Sequence, residues 1–363
     1  MKLIKIVTVV GARPQFIKAA AVSRAIRNKY ADYASEVLVH TGQHYDENMS
    51  QVFFDELEIP LPAYNLEISG GPHGEMTGRM LESLEKVLLG EKPDWVLVYG
   101  DTNSTLAATL AAAKLHIPVA HVEAGLRSFN MRMPEEINRI VADRLSSLLF
   151  CPTDEAVANL LREGLTNGVH LVGDVMYDVS LYFSDASNQR LDILDRIGAI
   201  PKNYVLATCH RAENTDDPKI LADIVHGLAG IAKSRLVILP AHPRTKARLK
   251  EYGLLDSLGG VSVVDPVSYL EMVALEKNAE VIVTDSGGVQ KEAFFYRVPC
   301  VTTRDETEWV ETVAAGWNIL VGSDSVRMID AVEQHARRAK SNVNPYGHGD
   351  AAERILDILL SSS

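Results

Sequence analysis

Short chemical signatures stand at the ends of apolar runs along this chain, and those in its first half are rich in carboxylates. Tyr99-Gly100-Asp101-Thr102-Asn103-Ser104-Thr105 follows one such run. Asp101 is either a helix N-cap, the commonest task of Asp at such a junction, or a carboxylate aimed into a cleft. His121-Val122-Glu123-Ala124-Gly125-Leu126-Arg127 follows the next run. Glu123 ends a β pattern where strand alternation gives it no solvated face, so it must be paired or functional. Arg127 and His121 are its nearby partners in sequence. Met133-Pro134-Glu135-Glu136-Ile137-Asn138-Arg139 opens a helix. Pro suits the first helical position, and two acids in the first turn favour the dipole even without a chemical role. Glu135 and Arg139 are four apart and share a face. Clustered carboxylates of this kind suit proton transfer.

A second set of motifs suits anions. Gly11-Ala12-Arg13-Pro14-Gln15-Phe16-Ile17-Lys18 follows the first apolar run. Arg13 at a helix start is poorly placed unless an anion is there too. Arg13 and Lys18 either flank a phosphate or belong to a solvated turn. In the second half, Cys209-His210-Arg211-Ala212-Glu213-Asn214 and, one run later, Ala241-His242-Pro243-Arg244 repeat a His/Arg pairing at a strand end. A lone histidine there is more often structural, but two such pairs favour anion handling. Val283-Thr284-Asp285-Ser286-Gly287-Gly288-Val289-Gln290-Lys291-Glu292 is the sharpest motif. A buried strand ends in small residues and opens a helix whose free N–H groups suit a phosphate. Glu292 lies one turn on, over Gly288, where it reaches ribose hydroxyls. The plainer alternative is a Gly-rich turn with a dipole-favouring Glu. The motif is neither a nicotinamide fingerprint nor a P-loop.

These residues need a scaffold, and the hydropathy pattern supplies one. Short β-branched runs alternate with longer amphipathic stretches, as in parallel sheets covered by helices. Strands are expected near 4–10, 36–41, 95–99, 118–122, 148–151 and 169–172, then near 203–208, 235–239, 261–264, 280–284, 298–302 and 317–321. Helices are expected at 14–28, 76–89, 103–114, 134–147, 218–233, 287–296 and 350–360, with another running from an Asp154 N-cap to Glu163 and stopped by Gly164. The 363 residues exceed what one core usually holds. Two Rossmann-like domains follow, 1–175 joined by a C-terminal helix at 346–363, and 176–345. The polar stretch 173–202 is the expected break. Ligands of such sheets bind beyond the carboxyl ends of the strands, where every motif above lies.

Composition removes other classes. A net charge of −12 argues against nucleic acid as a partner. No apolar run is long enough for a membrane span. The first residues read as a buried strand and not a signal peptide, so a cytoplasmic protein is expected. The three cysteines, Cys151, Cys209 and Cys300, form no CxxC pair and read as buried thiols.

Taken in order, the motifs resemble the non-hydrolysing UDP-N-acetylglucosamine 2-epimerases. The resemblance runs from GARPQFIK at 11–18 through GDTNST at 100–105, HVEAGLRS at 121–128, MPEEINR at 133–139, CHRAEN at 209–214, TDSGGVQKEA at 284–293 and RDETEWVE at 304–311 to NPYGHGDAAERI at 344–355. It implies an α/β GT-B fold, two Rossmann-like domains with parallel sheets facing across a cleft, acting as a homodimer without metal or cofactor. It implies anti elimination of UDP across C1 and C2 of a UDP-sugar, then return of UDP with the proton delivered to the opposite face. It assigns Asp101, Glu123 and Glu135 to acid–base chemistry and His210 to the departing diphosphate. Arg13, with Lys18, Arg139 and His242, falls to substrate binding; Ser286, Gly287 and Gly288 hold phosphate oxygens and Glu292 the ribose.

Two departures bear on the substrate. Many bacterial members bind a second UDP-GlcNAc as activator through glutamine- and arginine-containing segments. This chain keeps Gln43 and His44, but Tyr45-Asp46-Glu47-Asn48-Met49-Ser50 departs, and no arginine lies between Arg27 and Arg79. Trp309-Val310 stands where many members have Arg-Pro. Both features look closer to the branch acting on UDP-2,3-diacetamido-2,3-dideoxy-glucuronate. Its carboxylate needs a cation, with Arg127 and Arg132 as candidates. The rival class is a GT-B glycosyltransferase, which would use the same diphosphate site but has less need of clustered acids.

Overall fold

Runs such as Ile4–Val10 and Trp95–Tyr99 become strands with apolar side chains on both faces, because helices cover each face of the sheet. The computed structural model describes residues 3–43, 54, 57–335 and 341–363. The segment 45–50, on which the activator expectation rests, lies outside them. The chain forms two compact units, Met1–Leu181 with Asn344–Ser363, and Tyr182–Val343.

The first unit holds β1 (Ile4–Val10), β2 (Ala34–His40), β3 (Tyr64–Asn65), β4 (Trp95–Tyr99), β5 (Val119–Val122), β6 (Leu148–Cys151) and β7 (Val169–Leu171). They pair in parallel in the order β3-β2-β1-β4-β5-β6-β7. The second unit holds β8 (Tyr204–Thr208), β9 (Leu236–Pro240), β10 (Ser262–Val264), β11 (Val281–Thr284), β12 (Cys300–Thr302) and β13 (Asn318–Leu320), paired in parallel as β10-β9-β8-β11-β12-β13. In each sheet the strand order reverses once, between β1 and β4 and between β8 and β11. Those switch points open crevices at the carboxyl edge.

The longer helices are α1 (Arg13–Lys29), α2 (His73–Glu91), α3 (Asn103–Lys114), α4 (Pro134–Leu145), α5 (Asp154–Arg162), α6 (Val175–Ala186), α7 (Pro218–Ile231), α8 (Pro243–Glu251), α9 (Tyr269–Asn278), α10 (Gly287–Phe295), α11 (Ser325–His335) and α12 (Ala351–Ser361). On one face of the first sheet Val7, Val9, Val96 and Val98 pack on Met80, Leu84 and Leu88 of α2 and on Ala107, Ala108, Ala111 and Ala112 of α3. The alanine stripe lets α3 lie close to the strands. In the second sheet Val205, Ala207 and Val283 pack on Leu221, Ile224 and Leu228 of α7, while Tyr204, Leu206 and Ile282 face Leu275 and Ala293 on the other side. Each Val, Leu, Ile or Met side chain among them stabilises by about 1.5–3 kcal/mol when fully buried.

The two units part after Leu181, inside α6. Val175, Met176, Val179 and Phe183 are buried in α6, and their helical spacing outweighs the polar residues between them. The cap of α5 is Thr153, whose side chain accepts from Ala156 N–H, so Asp154 is the first helical residue. The two-residue β3, exposed at the sheet edge, has no apolar run to announce it. Among the described residues no helix is long and apolar enough to cross a membrane, and all three cysteines are buried and free.

The returning helix α12 is capped from α6. Asp178 accepts N–H bonds from Ala351 (3.2 Å) and Ala352 (2.8 Å). Burial pushes its carboxyl up to about 7 against the pull of those two bonds, and Asp174 and Asp350 add to the rise. A carboxyl raised in the folded state binds a proton on folding. Stability should therefore fall as pH climbs from the unfolded carboxylate range to about 7, by at most ~1.4 kcal/mol per pH unit. Asp178→Asn removes the titration and should flatten that slope, as read by urea unfolding between about pH 5 and pH 8.

Candidate active site

In the first unit the motifs converge on the β1/β4 switch point. The chain leaves β1 through Gly11, where a Cβ would lie 2.0 Å from Ser104 Oγ and 2.3 Å from Thr41 Oγ1. Nothing larger than glycine fits between the turn and the start of α3. Buried Gln15 staples the turn. Its Oε1 accepts from Gly11 N–H (2.8 Å) and Ala12 N–H (3.2 Å), and its Nε2 donates to Tyr99 O (2.7 Å) and Thr105 Oγ1 (3.0 Å). The ends of β1 and β4 are thus locked together. Arg13, half-buried, is the first residue of α1 at this edge.

Asp101 follows β4 and is not a helix cap. Thr102 caps α3, accepting from Thr105 N–H. The Asp101 carboxylate instead takes a 2.5 Å bond from Arg139, whose other terminal nitrogen donates to Glu136 Oε2 at 2.8 Å. Glu136 also accepts from the N–H groups of Ser128 and Phe129, at 2.9 Å each. Burial works against its charge, but the Ser128 N–H, Arg139 and the Phe129 N–H together hold its carboxyl below the usual range. Of the two acids opening α4, then, Glu136 is a structural anchor. Glu135 is half-buried and has no hydrogen-bond or ionic partner among the described residues.

Glu123 sits one residue past β5 with φ of 70°, a left-handed conformation that costs a non-glycine residue of order 1–3 kcal/mol and gathers at functional sites. It is 6% exposed and ion-paired with Lys18 of α1. Gly100, with φ of 61°, leaves room for that pair: a Cβ there would lie 3.2 Å from Glu123 Oε2 and 3.4 Å from Lys18 Nζ. The partners foreseen for Glu123 are occupied elsewhere. His121 bonds Asp143 Oδ1 (2.7 Å) and Gly100 O (2.7 Å). Arg127 donates to Asp143 Oδ2 (2.8 Å) and, through two nitrogens, to both oxygens of Glu163 (2.7 Å each). Arg127 is therefore spent and is not the cation for a substrate carboxylate. Arg132 is exposed. Gln43 accepts from Ser104 N–H (2.9 Å) and Oγ (2.7 Å), tying the end of β2 to α3.

In the second unit the β8/β11 switch point carries the other motifs. Ser286 caps α10, accepting from Val289 N–H, and the first N–H groups of the helix, those of Gly287 and Gly288, have no partner within it. A Cβ on Gly288 would meet only Ser286 Oγ, at 3.8 Å. On Gly287 it would press to 3.2 Å from the Trp309 indole nitrogen. Trp309, the departure from the Arg-Pro pattern, thus backs the glycine turn, and Lys291 Nζ lies 4.0 Å from its ring centre. Glu292 is buried, accepts from the Tyr269 hydroxyl (3.3 Å) and faces Glu276. Burial, then the Glu292 charge, push Glu276 well above the usual carboxylate range.

His210 extends from β8 with its side chain 49% exposed and Nδ1 3.4 Å from Asp285 Oδ1. Asp285 escaped the sequence reading. It is fully buried, and its Oδ2 accepts from His210 N–H and Arg211 N–H (2.9 Å each) and Asn214 Nδ2 (3.3 Å). One carboxylate so orders the whole 209–214 turn. Its place between Thr284 and the SGG turn was the available signal. His242 follows β9 and caps α8, its Nδ1 accepting from Arg244 N–H (3.2 Å), while Arg244 pairs with Asp216 (2.6 Å). This second His/Arg pair is more local in its bonding than the first.

Two parallel α/β units, one with acids at its switch point and one with a small-residue helix start at its own, define a GT-B-like protein. A family model described as UDP-N-acetylglucosamine 2-epimerase matches residues 27–360. A Pseudomonas aeruginosa UDP-2,3-diacetamido-2,3-dideoxy-D-glucuronate 2-epimerase is 51% identical over 360 residues, 98% of this chain and 99% of its own length. A Methanocaldococcus jannaschii UDP-N-acetylglucosamine 2-epimerase is 48% identical over 363 residues, 98% of each chain. The crystal structure of the Methanocaldococcus jannaschii enzyme in complex with UDP-GlcNAc and UDP matches at a TM-score of 0.92 and 47% identity, covering 98% of this chain and 99% of that one. The chain belongs to the UDP-N-acetylglucosamine 2-epimerase family.

Proposed function

We propose that the chain inverts C2 of a UDP-linked 2-acetamido sugar without hydrolysis, with a 2,3-diacetamido-uronate preferred over UDP-GlcNAc. One carboxylate of the first unit takes the C2 proton. The C–H electron pair forms the C1–C2 double bond, and UDP departs with the C1–O pair. The glycal then takes UDP back at C1 while a second acid protonates C2 from the other face. No step changes oxidation state. Asp101, Glu123 and Glu135 supply the acid and base; Lys18 is ion-paired with Glu123 and Arg139 with Asp101. His210, held by Asp285, and Arg13 meet the diphosphate, with Ser286, Gly287 and Gly288 on its oxygens. His242 adds to the anion-binding edge, and Glu292 takes the ribose. The observation that carries this reading is Glu123, a buried carboxylate in a strained conformation beside Lys18 and the Asp101 turn.

The uronate preference rests on the departures at 45–50 and 309–310 and on the Pseudomonas aeruginosa relative. The same reading takes the enzyme as a cytoplasmic homodimer needing no UDP-GlcNAc activator; three free buried thiols suit a reducing compartment. The test is turnover of each UDP-sugar in deuterated buffer. Proton NMR should show deuterium at C2 of the product; full retention of the original hydrogen overturns the elimination, and transfer to an acceptor without label is the glycosyltransferase outcome. Higher kcat/KM for UDP-GlcNAc than for the uronate overturns the substrate preference. Gly288→Ala, which the fold has room for, should weaken UDP binding tenfold or more in calorimetry, on the order of 1.4 kcal/mol. Unchanged affinity removes the phosphate role.

A further inference from the structure

One histidine in the first unit has an arrangement that the steps above do not use. His73 is the first residue of α2, directly after Gly70-Gly71-Pro72, and its ring is exposed. Its Nδ1 lies 3.0 Å from Asn103 Nδ2. Asn103 and Asn138 are both buried. Asn138 Nδ2 donates to Asp101 O (2.8 Å) and to Asn103 Oδ1 (3.3 Å). The Asn103 amide oxygen accepts from Asn138 and lies 3.5 Å from His73 Nδ1, whereas its NH2 is closer to that ring nitrogen, at 3.0 Å. An Nδ1 that accepts leaves the ring proton on Nε2. Two buried amides thus set the nearer, NH2 donor against Nδ1 of an exposed ring, favour the proton on Nε2, and tie the ring to the turn that carries Asp101. Fixing the donor direction of a solvent-facing ring does little for the fold, but it preorganises a contact with something outside the protein. The ring lies at the carboxyl edge of the sheet, where ligands of such sheets bind.

We infer that His73 is a specificity-determining residue whose Nε2–H donates to an acceptor oxygen of the sugar, a carboxylate or an acetamido carbonyl. This rests on the epimerase reading and deepens it. His73→Ala should lower kcat/KM for the preferred sugar about 10- to 100-fold, because a site built for a hydrogen bond rejects its loss strongly. UDP affinity and thermal midpoint should stay at wild-type values. His73→Gln, whose amide N–H reaches about as far as Nε2, should recover much of the loss, and His73→Asn should not. Loss confined to the diacetamido-uronate assigns the carboxylate or the C3 acetamido group; equal loss with UDP-GlcNAc assigns the C2 acetamido carbonyl. Wild-type kcat/KM in His73→Ala with both sugars overturns the inference and leaves the epimerase reading intact. So does failure of His73→Gln to differ from His73→Ala. If wild-type enzyme neither turns over a UDP-sugar nor binds one more tightly than UDP, the epimerase reading falls and this inference falls with it.

Discussion

Glu123→Gln is expected to lower turnover by about 10²–10⁴-fold, the range for losing a positioned acid or base, while UDP affinity and fold remain. The side chain keeps its length and planar end, so the buried space beside Gly100 stays filled. The amide accepts no proton and offers Lys18 no charge. Because Glu123 is not among the residues assigned to UDP, ground-state affinity for the nucleotide should not follow turnover down. The loss should then appear in kcat and in deuterium exchange at C2 together. Glu123→Asp retains the charge but withdraws it by one methylene, and an intermediate loss is expected. Steady-state turnover with UDP calorimetry on the same preparation checks both. Glu123→Gln within tenfold of wild type would remove Glu123 from the proton steps.

Asp143→Ala is expected to cost about 3–5 kcal/mol of stability, because it breaks a buried charged network and leaves the donors of His121 and Gly125 unmet. Asp143 is fully buried and joins His121, Arg127 and the Gly125 N–H (3.2 Å). Burial opposes its charge, but His121 and Arg127 hold its carboxyl below the usual range. A depressed carboxyl contributes stability above its unfolded pKa, about 3.9, and loses that contribution as pH falls below it. Without Asp143, Arg127 keeps, among the described residues, Glu163 and the Leu126 carbonyl, and His121 keeps Gly100 O. The turn bearing Glu123 loses its support from beneath, so activity should fall with stability. The expected signature in urea is a lower midpoint with an unchanged slope. A variant within about 1 kcal/mol of wild type would show that the network does not hold this turn.

Much of the molecule was legible in order. The runs at 4–10, 95–99 and 148–151 became strands at those bounds, because strand and helix periods are local properties of side-chain placement. The motifs named their own positions at strand ends for the same reason. Residue partnership was not legible. Lys18 read as a phosphate neighbour and proved to be the ion-pair partner of Glu123, 105 positions away. Arg127 read as a partner of Glu123 and proved to be tied to Asp143 and Glu163. Arg139 shares a helix face with Glu135 but bonds Asp101 and Glu136. Asp285 and His73 gained their meaning from the Cys209–Asn214 turn and from Asn103, which adjacent sequence does not show. The cause is the strand order. Placing β1 beside β4 and β8 beside β11 brings distant strand ends within hydrogen-bond reach. Several donors then compete for each buried carboxylate, and burial and geometry in the folded chain decide which one prevails.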